Sequence, residues 1–202
     1  MDNKTLKELL QEFVGYYLPI ELGRSQHTIK NYSCRLTNFF KISQVVRPED
    51  IRLETISLFR QKLVSQGKST RTINHYLVSI KSFLKFLKLK DYRTLSADKI
   101  ILANVSDGEI DFLKQEEAHS LVNTPTKPRD KALLNLLLTS GLRVGELVRL
   151  NKGHIDLTKR EIRVIDGKGG KSAVVFFNEQ TKDLLQNYLH SRDDFCPALF
   201  VV

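Results

Sequence analysis

Arg24-Ser25-Gln26-His27-Thr28-Ile29-Lys30-Asn31-Tyr32 returns 44 residues later as Lys68-Ser69-Thr70-Arg71-Thr72-Ile73-Asn74-His75-Tyr76. The echo continues through Leu36 and Ile80, Phe39 and Phe83, Phe40 and Leu84. Ile29, Tyr32, Leu36, Phe39 and Phe40 fall at helical spacing, and Ile73, Leu77, Ile80, Leu84 and Leu87 repeat the pattern. Ser25 and Ser69 stand just ahead of each run, where a hydroxyl accepts from the open N–H groups of a first turn. An amphipathic stretch precedes each copy: roughly 5–22, bent or broken by Pro19, and roughly 54–66, closed by Gly67. Two similar helical hairpins predict a four-helix, all-α domain over residues 1–105.

Working outward, that domain is also where the charge sits. The chain of 202 residues carries a formal charge of +9. Residues 1–105 hold 18 basic against 9 acidic residues, the whole of the excess, and residues 106–202 hold 14 of each. A basic half joined to a neutral half points to a polyanion-gripping module attached to a second function. Asn74, Lys81 and Lys85 lie opposite the apolar stripe of the fourth helix, flanked by Arg71 and His75. Ser69, Thr70 and Thr72 crowd its start, as Ser25, Thr28 and Lys30 do at the second helix. A helix start favours phosphate through its dipole and its free N–H groups. These residues are the candidate contacts to a nucleic-acid backbone.

Other classes are excluded. The opening Met1 to Glu8 has no apolar core of a signal peptide, and the longest apolar run, 132–138, is interrupted by Asn135 and far short of a membrane span. Cys34 and Cys196 make neither a disulfide framework nor a metal pair and read as buried small side chains in a reducing, cytoplasmic setting. His27 and His75 have no Cys or His partner at ligand spacing, so no metal site is expected.

Residues 90–109 change character, with Asp91, Thr94, Ser96, Asp98, Asn104, Ser106, Asp107 and Gly108 as punctuation, and read as a linker. The remainder, 106–202, is α+β. Helices are expected at 115–122, 130–139, 143–150 and 179–190, the last capped by Asn178. The runs 162–165 and 173–177 form a hairpin around 166–171. Gly167-Lys168-Gly169-Gly170-Lys171-Ser172 is no phosphate loop of the ATP-binding kind: position 165 is Ile where Gly is required, and a strand follows instead of a helix.

Two features carry chemistry. In Thr139-Ser140-Gly141-Leu142-Arg143-Val144-Gly145-Glu146-Leu147, an arginine sits at a helix start after a tight glycine turn, and Glu146 lies on its face one turn on. Lys168 stands among glycines at a hairpin tip, with Lys171 beyond it. Together these residues resemble the tyrosine-type site-specific recombinases, also called phage-type integrases, most closely their Xer-like members. The resemblance covers nearly the whole chain. It implies a SAM-like core-binding domain at 1–105, then a truncated α+β catalytic domain with a small β-hairpin sheet at 106–202.

What the resemblance implies is metal-free, cofactor-free phosphoryl transfer at a recombination site, through a 3′-phosphotyrosyl link, by proteins that act as tetramers on DNA. Arg143 matches the first catalytic arginine, which binds a non-bridging phosphate oxygen. Lys168 matches the lysine that protonates the leaving 5′-hydroxyl, and Glu146 matches a supporting acidic position. The pattern should continue with a His-x-x-Arg box, a later His or Trp, and the nucleophilic tyrosine. None of His27, His75, His119, His154 and His190 has Arg three residues on. The last tyrosine, Tyr188, takes a structural helical position, and 199–202 reads as a buried strand leading onward, leaving apolar surface bare. The chain is therefore expected to be the front part of a recombinase that binds DNA without the nucleophile. The alternative is a non-catalytic, recombinase-derived DNA-binding or regulatory protein. Reading onward past codon 202 separates the two.

Overall fold

The computed structural model describes residues 4–106, 111–165 and 172–201. The chain divides into two compact units, 1–108 and 109–202.

The first unit is helical. Thr5 opens α1 (Leu6–Glu12) with a capping box, its own N–H donating to Glu8 Oε2 at 2.7 Å. The helix does not break at Pro19. From Phe13 to Glu21 it winds in the wider π register and runs past the proline, Leu22 N–H donating to Tyr17 O at 3.1 Å. A proline in an α-helix collides with the carbonyl four residues back; the wider turn draws that carbonyl away, and the missing N–H leaves only one bond unmade. Then come α2 (Gln26–Ser43), α3 (Leu53–Ser65) and α4 (Thr70–Leu89). Gly67, at φ +70, closes α3, with Lys68 N–H returning to Leu63 O.

The repeat becomes one core. Leu36 and Phe39 of α2 are fully buried beside Leu77, Ile80, Phe83, Leu84 and Leu87 of α4. Phe13 meets Phe83 edge-on at 5.3 Å, and Phe39 meets Phe59 of α3 at 5.0 Å. Such ring pairs add about 0.5–1.5 kcal/mol each beyond the area they bury. Asn38 donates to the Tyr76 hydroxyl at 2.9 Å, tying α2 to α4.

The stretch beyond α4 is not an open linker. Tyr92 and Leu95 pack against the same core, and Ala97 and Ile100 are buried in it. Residues with turn character punctuate it, but apolar side chains at intervals carry it back onto the unit.

The second unit is α+β: α5 (Gln115–Asn123), α6 (Pro128–Ser140), α7 (Val144–Leu147), strands β1 (Ile155–Asp156), β2 (Glu161–Val164) and β3 (Ala173–Phe176), then α8 (Glu179–His190). The sheet is antiparallel in the order β1-β2-β3, with Glu161 opposite Phe176 and Val164 opposite Ala173. β1 was not expected from sequence. It forms because the Asp156 carboxylate accepts from Thr158 and Lys159 N–H at 3.0 and 2.9 Å and turns the chain back, Arg160 taking φ 57. The Asn178 side chain caps α8 by accepting from Thr181 N–H at 2.9 Å.

Two expectations are corrected here. The helix from Arg143 does not reach Leu150: it ends at Leu147, and the backbone of residues 150–152 pairs instead with 197–199, Leu199 N–H donating to Leu150 O at 2.8 Å. The tail, read from sequence as buried, packs within its own unit. Leu199 is fully buried and Phe200 stacks on Tyr188 with centroids 5.4 Å apart. Cys34 and Cys196 are both exposed, Cys34 on the outer side of α2 two residues from buried Leu36, and Cys196 in the loop after α8. No helix among the described residues is long and apolar enough to cross a membrane.

Candidate nucleic-acid interface and phosphate site

The two echoed helix starts have one geometry. Ser25 and Ser69 share φ −63 and ψ 153. Ser25 Oγ accepts from Thr28 N–H at 3.3 Å and lies 3.0 Å from Thr28 Oγ1; Ser69 Oγ accepts from Thr72 N–H at 3.3 Å and lies 2.9 Å from Thr72 Oγ1. Neither first turn contains an acidic residue. The partial positive charge of each helix start is thus offset by no carboxylate of its own. Ser25, Lys30, Ser69, Thr70, Arg71 and His75 are exposed, and Thr28 and Thr72 half-buried.

Asn74 and Lys81, on the same face of α4, are engaged otherwise. Asn74 Nδ2 donates to Ala103 O at 2.7 Å, and Ala103 N–H donates back to Asn74 Oδ1 at 3.1 Å. Lys81 Nζ donates to Ile100 O at 2.8 Å. From α3, the half-buried Arg60 donates through Nη2 to Ile101 O, while its Nε is buried with no partner among the described residues. Arg60 was not anticipated; one arginine among the many of a basic half carries no signal of a backbone partner 41 residues away.

In the second unit, Gly141 at φ +65 ends α6, its N–H donating to Leu137 O at 3.1 Å. Any residue with a Cβ is strained in that conformation. Leu142 buries itself next, which sets Arg143 at the start of α7. The Glu146 carboxylate grips Arg143 twice: Oε2 accepts the backbone N–H at 2.9 Å and Oε1 accepts from Nη1 at 2.8 Å. Glu146 is 8% exposed and the Arg143 side chain 68%. These bonds, the backbone one foremost, hold the Glu146 carboxyl below the ordinary carboxylate range, so it stays ionised at neutral pH. A fixed carboxylate orients the guanidinium and leaves most of it open to an anion. Lys168 and Lys171 lie outside the described residues; the last described rung of their hairpin is Val164–Ala173.

Tyr188 is 4% exposed on α8, and its hydroxyl accepts from Val201 N–H at 3.1 Å. Beside it, Arg192 was missed in the polar run after α8. Its side chain, 3% exposed, donates to Ala198 O at 2.7 Å and Leu199 O at 2.9 Å, and Nε donates to Asp194 Oδ2 at 2.8 Å. This arginine fastens the tail.

Residues 10–91 match the N-terminal SAM-like domain of phage integrases, and 111–201 match the phage integrase family itself. The tyrosine recombinase XerA of Pyrococcus furiosus is 32% identical over 204 residues, covering 100% of this chain and 68% of its own. The chain belongs to the phage integrase family. Tyrosine recombinase XerC of Thermodesulfovibrio yellowstonii is 33% identical, covering 87% of this chain and 60% of its own. The chain thus spans roughly three fifths to two thirds of the length of the curated relatives it matches. Among solved structures, the Tn1549 transposon integrase in complex with circular intermediate DNA superposes with a TM-score of 0.72, at 18% identity, over 98% of this chain and 71% of that one. At that identity the likeness is one of fold. The mainly helical architecture read from the sequence agrees with it.

Proposed function

We propose that the chain is the DNA-gripping and first phosphate-binding portion of a tyrosine recombinase, acting in site-specific strand cleavage and rejoining. Residues 1–105 hold duplex DNA through the two hydroxyl-capped basic helix starts, with Ser25, Thr28, Lys30, Ser69, Thr70, Arg71, Thr72 and His75 at the backbone. Residues 106–202 present Arg143 to a scissile phosphate, Glu146 fixing its aim, and Lys168 serves as acid to the leaving 5′-hydroxyl with Lys171 nearby. The observation that carries the reading is the doubled carboxylate grip on an exposed arginine in a family member.

A phosphotyrosyl step needs a nucleophile at bonding distance from phosphorus and donors around both non-bridging oxygens. These 202 residues offer Arg143 and Lys168 for that centre and no His-x-x-Arg box. The polypeptide by itself therefore binds duplex DNA, in the cytoplasm, and forms no covalent link; assembly into tetramers and strand exchange belong to the whole recombinase. The test is incubation of the 202-residue chain with a nicked duplex carrying a curated relative's recombination site. A complex on a native gel and none on a denaturing gel is expected. Failure to retard duplex DNA would sink the binding assignment, and a band surviving boiling in detergent would place a nucleophile in this chain, with Tyr188 first to mutate.

A further inference from the structure

The chain leaves α4 at Lys90 but does not depart from there. It returns along the helix. Ile100 lies against Lys81 and Ala103 against Asn74, so the sequence runs forward while α4 runs backward. The spans agree: from Asn74 to Lys81 a helix rises about 10.5 Å, and from Ile100 to Ala103 an extended chain covers about 10 Å. The segment is an extended strap docked antiparallel on a helix, with Ile100 buried beneath it and Arg60 closing over Ile101 from α3. The Asn74 amide meets both backbone groups of Ala103, the exchange one strand makes with another.

We propose that Arg60, Asn74 and Lys81 are positioning residues, which fasten the strap so that the tether to the second unit starts beside the first turns of α4 rather than at its far end. The displacement is large. Asn74 lies about 24 Å along the helix from Lys90. From Ala103 to Gln115 the tether is 12 residues long and reaches at most about 40 Å. Were it to start at Lys90, over half of that reach would be consumed in returning along α4. The strap thus puts the tether's origin one turn from Arg71, on the face assigned above to DNA. The inference rests on that assignment for its purpose, though not for the docking itself. It also gives Asn74 and Lys81 a task other than touching phosphate.

Amide exchange and DNA titration of the full 202-residue chain separate the possibilities. In the free wild-type protein the Ala103 amide should be protected, and Asn74→Ala should speed its exchange at least tenfold. Ala103→Pro removes the same N–H without altering α4 and serves if Asn74→Ala disturbs the helix. Both should weaken duplex binding alike, by at most about threefold, the loss expected when a 12-residue tether lengthens towards 25 residues. Lys81→Ala should leave the salt dependence of binding unchanged. An unprotected Ala103 amide in the wild type overturns the docking. A salt slope shallower by about 0.9 in Lys81→Ala overturns the positioning role, because it marks a phosphate contact. Absence of duplex binding by the wild type would defeat the proposed function alone, since the exchange experiment needs no DNA.

Discussion

Replacing Lys30 and Arg71 together with alanine should halve the salt sensitivity of DNA binding. The two helix starts carry Arg24 and Lys30 in one copy of the repeat and Lys68 and Arg71 in the other, four cations flanking two open N-termini. Four neutralised phosphates give a slope of log K against log salt near −3.6, so raising salt from 50 to 200 mM weakens binding about 150-fold. With two cations removed, the slope falls to about −1.8 and the same change weakens binding only about 12-fold. Fluorescence anisotropy on a labelled duplex at five salt concentrations reads both slopes directly. The comparison is the triple replacement of Lys127, Arg129 and Lys131 in the second unit, where Arg129 already pairs with Asp130 at 2.7 Å. That triple variant should keep more than half of the wild-type slope. An unchanged slope in Lys30→Ala/Arg71→Ala, or an equal loss from the second-unit triple, refutes the placement of the DNA grip.

Asn178→Ala removes the cap of α8 and should cost the second unit about 1 kcal/mol, a fall in Tm of roughly 4–8 °C by calorimetry. Leu199→Ala, at a fully buried position, should cost about 2–5 kcal/mol in urea unfolding of the same unit and leave the first unit's transition unmoved. Asp194 has its carboxyl pulled to about 2 by the hydrogen bonds from Arg192. Its folded value is below the unfolded one, so its contribution to stability is full above about pH 4 and is lost as pH falls towards 2; Asp194→Asn should flatten stability in that window. In a chimera carrying the remaining third of a curated relative, Arg143→Ala should slow cleavage about 10²–10³-fold with DNA affinity largely kept, read by denaturing gel and anisotropy on one preparation.

The helices were legible because their signals are short-range. Ser25 and Ser69 announce their own helices within three residues, as does Asn178, and Gly67 and Gly141 stop theirs by a conformation that the residue itself permits. Arg143 and Glu146 were legible for the same reason, since a spacing of three residues brings their groups together on a helix start. What sequence patterning could not reach were partners distant along the chain. Turn-prone residues made 90–109 read as open linker, yet Ala97 and Ile100 find core on α4, and Asn74 finds Ala103 29 residues on. Arg192 reads as a solvated residue in a polar run, and its burial depends on carbonyls that only the folded tail supplies. Both cysteines illustrate the converse: a residue type that is usually buried sits outside when its helical phase or its loop puts it there.

Tyr188 is the one tyrosine of residues 109–202. Its ring lies flat against Phe200, and its oxygen holds the Val201 amide. Reagents that modify phenols, such as nitrating agents, therefore reach this ring only when α8 and the tail part company. The rate of its modification becomes a clock for that opening: slow and concentration-independent where opening limits, fast in Leu199→Ala. A side chain whose type invites a chemical reading is, by its packing, a built-in gauge of how often the end of the unit lets go.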